Sequence, residues 1–583
     1  MSIDFRNINS LWASVAVETL ARLGLQTAVV CPGSRSTPLT FAFAAHPKIE
    51  ALPILDERSA AFFALGCAKR SHTPVALVCT SGTAGANFYP AIIEAYESGI
   101  PLIIFTADRP PELRDCASGQ TIDQQKLYGN FVKHYSELAV PVASMEMLAY
   151  LRQTLVSGWQ HAIAPFPGPI HYNSPFRDPL PPIANGTTEL LADTFKSSAF
   201  FQFVTPSTAT TIEQSKRALL HDWQQCEQGI IIAGPSNPAD PISYCQAVSK
   251  LSQKSGWPVL AEGLSPLRNY HRVNEALIST YDIILRKSER ADQLIPKMVI
   301  QLGPLPISKV LRQWLTVHQP QRWIINAQKN LDPLHGPVQF VTATLESLLQ
   351  SFSSETRHSK KPDKNDYTRR WLTEEKTVRQ ALDTQLTTET ALVESKLVWL
   401  LSQHLPENTP LFIANSMPVR DVEYFWSPNN RQVQPMFSRG ANGIDGTLST
   451  AMGVAHHNRP TVLLTGDLAF LHDTNGLLNA AQLDGHLTVI VINNQGGGIF
   501  EMLPISQFNH APEAYFERYF ATPQQVEIFS LCKAYGIEYQ SVKTTQALVD
   551  YVSELPAKGV RVLEVSCSRK QSSQQRKTLL SGV

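Results

Sequence analysis

Short apolar runs alternate with amphipathic stretches along most of the chain, and this alternation restricts its fold more than any other feature. Apolar runs of strand length between helical stretches are typical of parallel sheets that helices cover on both faces. The sequence therefore predicts an α/β protein made of three doubly wound parallel-sheet domains. The predicted strands are Thr27–Cys31, Val75–Cys79, Pro101–Phe105, Gly229–Ala233, Met298–Gln301 and Arg322–Asn326, with others near Leu411, Val462, Val489 and Val562.

The length of 583 residues allows several domains, each with its own core. The polar stretch from Asn185 to Ser207 is typical of a connector. Ser351–Asn365 is a clearer linker, because it is polar, charged and free of periodicity. A long helix is predicted near Tyr367–Leu386. We expect an N-terminal domain over 1–190, a central domain over 200–350, a linker over 351–366 and a C-terminal domain over 367–583.

The charge balance and the cysteines narrow the class of protein. Lys and Arg number 50, as do Asp and Glu, which argues against nucleic-acid or membrane-surface binding through bulk charge. The eight cysteines show no CxxC pairing, as expected of reduced core thiols. The amino terminus lacks the layout of a signal peptide, and no apolar run reaches the ~18 residues of a spanning helix. We expect a soluble cytoplasmic protein without nucleic-acid or membrane partners.

Two polar residues follow neighbouring predicted strands near the C-terminus. Asp467 follows the run Thr461–Gly466, and Asn494 follows the run Leu487–Asn493. Two parallel strands joined by a helix place both of these turns at one edge of the sheet. A carboxylate and an amide oxygen there favour Mg²⁺ bound together with phosphates. Turn-forming Asp and Asn in an ordinary doubly wound sheet are the alternative.

Three further features could face such a ligand. Glycines at 496–498 let the backbone approach a diphosphate without Cβ hindrance. Glu57 begins an otherwise apolar helix, where a carboxylate is either functional or a helix cap. The small-residue turn Cys79–Asn87 presents backbone amides, although it lacks the common nucleotide-binding patterns.

These motifs resemble those of the thiamine-diphosphate enzymes of the decarboxylase and acetolactate-synthase type. The resemblance implies that Glu57 binds N1′ of the cofactor's aminopyrimidine. It also implies Mg²⁺, or Mn²⁺, held by the side chains of Asp467 and Asn494 and the carbonyl of Gly496. The implied cofactor-binding residues are Glu57, Ser416, Ile444, Gly466, Asp467, Leu468, Asn494, Gly496 and Gly497.

Four longer segments resemble the carboligase branch of menaquinone and phylloquinone biosynthesis: Cys31–Leu39, Thr106–Leu113, Ser438–Gly446 and Gly498–Pro504. In this branch Leu468 is usual, whereas most of the wider family has glycine there. The resemblance implies that 2-oxoglutarate is decarboxylated and that the succinic semialdehyde carbanion is added to isochorismate. It also implies a homodimer or homotetramer whose active sites combine residues of two chains.

Both implied substrates are dianions, and arginine binds carboxylates in a fixed plane. By resemblance, the catalytic residues are Glu57, Arg35, Gln120, Arg420 and Arg439. The implied substrate-binding residues are Ser34, Arg35, Arg109, Gln120, Lys309, Ser416, Arg420 and Arg439, with an apolar wall of Ile499, Phe500 and Leu503. Ile444 is implied to lie under the thiazolium ring. Val310 stands where the family often has arginine, so a carboxylate contact at that position is lost.

Two alternatives remain open at this point. If the arginines are structural, the chain is another thiamine enzyme, such as a 2-oxo-acid decarboxylase or an acetolactate synthase. The strand–turn–helix repeats alone also fit a dinucleotide-binding or non-enzymatic α/β protein, but that alternative leaves Glu57 unexplained.

Overall fold

Three six-stranded parallel sheets build the computed structural model. The structure describes residues 3–202, 204, 223–325, 331–341, 344–352, 365–507 and 513–582. Contacts divide the chain into two compact units. The first contains Met1–Thr211, Ser438–Asn458 and Ala469–His486, and the second contains Ile212–Phe437, Arg459–Leu468 and Leu487–Val583.

The first sheet belongs to the first unit and has the order β2-β1-β3-β4-β6-β5. Its central strands β3 and β4 are fully buried and carry continuous apolar runs, as expected of a parallel sheet between helix layers, although β4 ends in the buried polar residues Thr106 and Asp108. The strands are β1 (Thr27–Val30), β2 (Glu50–Pro53), β3 (Val75–Cys79), β4 (Leu102–Asp108), β5 (His134–Glu137) and β6 (Ile170–Pro175). The helices are Ile8–Leu23, Thr37–Ala44, Glu57–Ser71, Ala84–Asn87, Tyr89–Ser98, Met145–Ile163, Glu189–Thr194 and Ser197–Phe200.

The helices Glu57–Ser71 and Thr447–Ala455 of the first unit cross at two glycines. A Cβ on Gly66 would lie 2.1 Å from the Thr450 carbonyl oxygen, and a Cβ on Gly453 would lie 2.1 Å from the Phe63 carbonyl oxygen. Neither helix could approach so closely with a larger residue at the crossing. This contact fixes the helix that begins with Glu57.

The second sheet lies in the second unit, in the order β12-β11-β10-β7-β8-β9. Counted along the chain this is 3-2-1-4-5-6, the order of dinucleotide-binding sheets. The strands are β7 (Gly229–Ala233), β8 (Val259–Ala261), β9 (Leu277–Ile278), β10 (Met298–Leu302), β11 (Gln321–Ile325) and β12 (Val338–Val341). The helices are Pro241–Ser255, Tyr281–Ile284, Ser288–Gln293, Lys309–His318 and Leu345–Phe352.

The third sheet has the order β14-β13-β15-β16-β18-β17, the same pattern along the chain as the first sheet. The strands are β13 (Pro410–Ile413), β14 (Gln434–Met436), β15 (Thr461–Gly466), β16 (His486–Asn493), β17 (Glu538–Val542) and β18 (Gly559–Ser566). The helices over this part of the chain are Asp366–Thr388, Glu394–His404, Met417–Phe425, Thr447–Ala455 (which belongs to the first unit), Asp467–His472, Glu513–Phe516, Ile528–Ala534, Thr545–Ser553 and Arg569–Ser581.

The prediction of three parallel α/β sheets is confirmed, and each predicted strand corresponds to an observed one within its described residues. The predicted long helix runs over Asp366–Thr388. Asn326 and most of the linker over 351–366 fall outside the described residues. Residues 203 and 205–207 of the expected connector over 185–207 also fall outside the described residues. Its described part contains the short helices Glu189–Thr194 and Ser197–Phe200, and Phe200 and Phe201 pack in the core. No described helix combines the length and apolar character that a membrane crossing requires.

Candidate functional site

The carboxyl ends of β15 and β16 bring Asp467 to the loop that follows Asn494. Asp467 begins the helix Asp467–His472 and is 5% exposed. Its Oδ1 accepts the backbone N–H of Leu468 and its Oδ2 that of Gly496, both over 2.8 Å. The predicted juxtaposition of these two strand ends is therefore present within one sheet.

The Asp467 carboxylate lies in an environment that disfavours its negative charge. Burial raises its pKa to about 6, and the charge of Glu394 acts in the same direction, although the two backbone N–H groups oppose the shift. A bound cation would compensate the buried charge.

The Asn494 amide is held on one side and open on the other. Its Nδ2 donates to Glu394 Oε1 over 2.7 Å. Its Oδ1 is buried and has no hydrogen-bond partner among the described residues. An unpartnered buried oxygen is costly in an apolar interior. Beside a buried carboxylate, it fits the oxygen ligand set of a hard divalent cation.

The glycines of this region have two different roles. A Cβ on Gly466 would meet no atom within 4 Å, so the space next to it is open. A Cβ on Gly496 would lie 2.2 Å from the Ala521 carbonyl oxygen, and one on Gly497 would lie 2.7 Å from the Phe500 ring. Gly498 would meet Asn494 Nδ2 at 2.8 Å. Packing within the chain therefore requires glycine at 496–498. This reason differs from the predicted one, which is close approach of the backbone to a diphosphate.

Ser416 follows β13 at the same edge of the sheet and has an unusual backbone conformation. Its φ is +72° and its ψ is −124°, which costs a non-glycine residue roughly 1–3 kcal/mol. Arg420 Nη1 donates to the Ser416 carbonyl oxygen over 2.5 Å, and burial lowers the pKa of the guanidinium. Two predicted site residues thus contact each other at a strained turn.

The other site residues predicted in the second unit lie at the ends of β15 and β16 or beside the second sheet. Ile499 and Phe500 belong to the short 3₁₀ helix Gly498–Met502 and, like Leu503 and Leu468, are half-buried. The Phe500 and Phe520 rings pack edge to face at 5.6 Å. Lys309 begins the helix Lys309–His318 beside the second sheet and is exposed, and its role stays a prediction.

In the first unit, Glu57 is free of the capping role that a carboxylate at a helix start usually takes. Asp56 caps the helix Glu57–Ser71, since its side chain accepts the Ser59 N–H over 3.1 Å. The half-buried Glu57 carboxylate has no hydrogen-bond partner in the described part of the chain. Burial raises the pKa of the Cys31 and Cys79 thiols, and the charge of Glu57 adds to this effect. Glu57 therefore lies near the ends of β1 and β3.

Several predicted cationic and neutral donors meet at the ends of β3 and β4. Arg109 Nη1 donates to Ser81 Oγ over 2.7 Å, and Gln120 Nε2 donates to the Ser81 carbonyl oxygen over 3.1 Å. Arg35 Nη1 donates to the Phe176 carbonyl oxygen over 2.9 Å, while its buried Nε has no partner among the described residues.

The positive charges of Arg35 and Arg109 are close enough to affect each other. Burial lowers the pKa of Arg35, and the positive charge of Arg109 lowers it further. Two close guanidinium groups would be stabilised by an anion. Ser34, next to Arg35, is exposed.

The segment 438–446 is held through its backbone. The N–H groups of Gly440 and Ala441 donate to the Glu94 carboxylate over 3.1 and 2.6 Å. Gly446, at φ +63°, lies against the Phe62 ring, where a Cβ would clash. The half-buried side chains of Arg439 and Ile444 are thereby carried on a fixed loop, and their roles remain predictions.

The sequence did not indicate the buried charges that contact the loop after β16, at Asn494 and Gln495. Glu394, Asp421 and Arg576 form a hydrogen-bonded cluster behind Asn494, and Arg569 donates to the Gln495 carbonyl oxygen. Glu394 lies in the first turn of a helix, where a carboxylate is ordinary. Only the tertiary contact distinguishes it from a surface residue.

Three family models match the chain in order. They are the thiamine pyrophosphate enzyme N-terminal TPP-binding domain over residues 12–127, the middle domain of thiamine pyrophosphate over 199–413, and the C-terminal TPP-binding domain over 419–565. The predicted thiamine-diphosphate type and enzymatic character are confirmed. The non-enzymatic and dinucleotide-binding alternatives are wrong.

Curated relatives match the full length of the chain. Proteins of Gloeothece citriformis, Nostoc sp. and Acaryochloris marina are 55%, 54% and 53% identical, over 99–100% of this chain and 98–99% of each relative. Each is named 2-succinyl-5-enolpyruvyl-6-hydroxy-3-cyclohexene-1-carboxylate synthase. The chain therefore belongs to the thiamine pyrophosphate enzymes, and within them to the family of these synthases.

Proposed function

We propose that the chain is a thiamine-diphosphate-dependent carboligase. It decarboxylates 2-oxoglutarate and adds the remaining four carbons 1,4 to isochorismate. The products are 2-succinyl-5-enolpyruvyl-6-hydroxy-3-cyclohexene-1-carboxylate and CO₂, and the reaction serves menaquinone or phylloquinone biosynthesis. The observation that carries the proposal is the shared name of relatives at 53–55% identity over the whole chain.

The metal in this proposal is Mg²⁺ or Mn²⁺, bound by the side chains of Asp467 and Asn494 and by the Gly496 carbonyl. The buried, unpartnered Oδ1 of Asn494 and the raised pKa of Asp467 support this assignment. The open space beside Gly466 supports a diphosphate there. When bound, thiamine diphosphate supplies the electron sink for the loss of CO₂. Ser416, Ile444, Leu468 and Gly497 complete the proposed cofactor contacts.

Glu57 is proposed to hold the aminopyrimidine N1′ of the cofactor through a hydrogen bond. Its support is a carboxylate that neither caps its helix nor pairs with another described residue. The apolar helix behind it limits access of water, and this strengthens a hydrogen bond at the carboxylate.

The substrate carboxylates are assigned to the arginines. Arg35 and Arg109, with Gln120 and Ser34, offer donors at the ends of β1, β3 and β4. Arg420 and Ser416 offer donors at the end of β13. Arg439 and Lys309 complete the cationic set, and Ile499, Phe500 and Leu503 form the apolar wall. Arginine suits this role because its planar fork matches a carboxylate.

We propose a cytoplasmic homodimer or homotetramer. All eight cysteines are free, which fits a reducing compartment. The domain boundaries at 190, 200, 350 and 366 are part of the same proposal. The second sheet, over β7–β12, is the core of the proposed central domain.

The decisive experiment identifies the product by mass. Purified protein is incubated with isochorismate, 2-oxoglutarate, thiamine diphosphate and Mg²⁺, and each component is omitted in turn. We expect consumption of isochorismate only in the complete mixture. Release of free succinic semialdehyde or acetolactate as the main product would instead make the chain a decarboxylase or an acetolactate synthase.

A further inference from the structure

The C-terminal helix Arg569–Ser581 contacts the proposed metal-binding loop through two buried arginines. Arg569 and Arg576 are two helical turns apart and so face the same side of the helix. They are 8% and 1% exposed. Buried arginines are rare unless paired, so both positions need a structural or functional reason.

Arg576 joins two buried carboxylates. Its Nε and Nη2 donate to Asp421 Oδ1 and Oδ2 over 2.6 and 2.8 Å, and Nη2 also donates to Glu394 Oε2 over 2.6 Å. Glu394 and Asp421 are 2% and 0% exposed. The bidentate pair fixes the guanidinium, and the guanidinium in turn fixes Glu394.

Glu394 uses its other oxygen on the loop. Oε1 accepts from Asn494 Nδ2 over 2.7 Å. A carboxylate can only accept, so it selects the NH₂ side of the amide and turns Oδ1 away. That oxygen is the one that is buried without a partner among the described residues.

Arg569 holds the next residue of the same loop. Its Nη1 donates to the Gln495 carbonyl oxygen over 2.8 Å. Its Nε and Nη2 bind Glu501 and Glu517 over 2.8 and 2.5 Å. Gln495 and Gly496 both have positive φ, at +59° and +127°, so this turn needs external support.

We propose that Glu394 and Arg576 are positioning residues that orient the Asn494 amide for the divalent cation, and that Arg569 fixes the adjoining Gln495–Gly496 turn. The inference rests on the proposed metal site and goes beyond it, because it assigns the orientation of the site to the C-terminal helix. None of the three residues is proposed to touch the metal.

Glu394→Gln tests the orientation directly. Arg576 would select the carbonyl side of the new amide, and its NH₂ would then face Asn494. The Asn494 amide would flip its oxygen toward this NH₂ group, away from the cation. We expect the Kd for Mn²⁺, measured from free Mn²⁺ by electron paramagnetic resonance with saturating thiamine diphosphate, to rise about 10- to 100-fold.

A compensating substitution separates orientation from structural damage. Asn494→Asp in the Glu394→Gln background would accept from the new NH₂ with one oxygen and offer the other to the cation. We therefore expect the double variant to regain most of the Mn²⁺ affinity. Asn494→Asp alone would oppose the Glu394 carboxylate and bind Mn²⁺ weakly.

Glu423→Gln is the matched control, because Glu423 is buried and pairs with buried Arg268 in the same unit. It should lower the Tm without changing the Kd for Mn²⁺. If Glu394→Gln does not fold, Arg569→Lys serves instead: one ammonium cannot hold Gln495, Glu501 and Glu517 together, so the Kd should rise.

The outcomes are distinct. An unchanged Kd in folded Glu394→Gln or Arg569→Lys, or a double variant that stays weak, overturns the positioning proposal. A wild-type chain that binds no Mn²⁺ with thiamine diphosphate instead overturns the proposed metal site itself.

Discussion

The backbone N–H of Gly496 donates to Asp467 Oδ2 over 2.8 Å, and this bond joins the loops after two adjacent parallel strands. Because the accepting carboxylate is buried, its charge destabilises the protein without metal. Asp467 is thus a residue at which fold stability and the proposed metal binding oppose each other.

The stability of the metal-free protein should therefore depend on Asp467 and on pH. The folded-state pKa of about 6 lies above the ordinary value, so the stabilising protonated form is present at low pH and is lost as the pH rises through 6. Relative to Asp467→Asn, we expect the wild-type free energy of unfolding to fall by about 2 kcal/mol between pH 4 and 7. Denaturant titrations of both proteins measure this difference.

Saturating Mg²⁺ and thiamine diphosphate should cancel this fall for the wild type and leave Asp467→Asn unaffected, since ligands that bind only the folded state stabilise it. A constant difference between the two proteins across this pH range would contradict the burial argument.

Two glycine substitutions should distinguish a glycine that leaves room for the proposed cofactor from one that is required by packing within the chain. Gly466→Ala places its Cβ in open space, so we expect an unchanged Tm and a weaker Kd for thiamine diphosphate. Gly496→Ala places its Cβ 2.2 Å from the Ala521 carbonyl oxygen at φ +127°. It should lower the free energy of unfolding by about 1–3 kcal/mol. Thermal unfolding without ligand and calorimetric binding measure the two effects, and equal Tm losses would refute the distinction.

The fold was predictable because its strands are continuous apolar runs, such as Val75–Cys79, that have no alternative to burial between helices. The juxtaposition at the candidate site was predictable where its polar residues directly follow a strand, as at Asp467 and Asn494. Strand adjacency alone then brings the residues together. The shared strand order of the first and third sheets was not visible, because topology depends on pairing between distant segments.

The supporting charges could not be predicted for a similar reason. Glu394 and Arg576 are far apart in sequence, and each is ordinary in its own helix. Only the 2.6 Å hydrogen bond between their side chains shows that they act together. The glycines at 496–498 were located correctly, but their packing partners at Phe500 and Ala521 required the structure.

The adjacent carboxylates of Asp56 and Glu57 should have separate effects, Glu57 on the reaction rate and Asp56 on stability. Glu57→Gln should cost orders of magnitude in rate with little change in Tm, because Asp56 makes the helix cap. Asp56→Ala should lower the free energy of unfolding by about 1 kcal/mol. Asp56→Asn keeps the cap and should retain both properties. Steady-state rates and thermal unfolding of the three variants provide the check, and a fully active Glu57→Gln would remove Glu57 from the proposed mechanism.

His171 should make the first unit sensitive to mild acid. Its Nε2 lies 2.7 Å from Thr106 Oγ1, which donates its only proton to Asn173 Oδ1, so Nε2 must carry the hydrogen. Its Nδ1 is buried without a described partner, and burial lowers the pKa of the ring to about 3.

A depressed folded-state pKa of a base gives stability that is present above the unfolded value and is lost as the pH falls toward the folded one. We expect His171 to cost about 1.4 kcal/mol of unfolding free energy per pH unit below about 6.5, down to about pH 3. In His171→Leu this slope should be smaller by about 1.4 kcal/mol per pH unit, because one proton fewer is taken up on unfolding. Thr106→Val keeps the buried ring and should retain the slope despite lower stability. Denaturant titrations at several pH values measure all three proteins, and parallel curves for wild type and His171→Leu would show that the ring is protonated in the folded state.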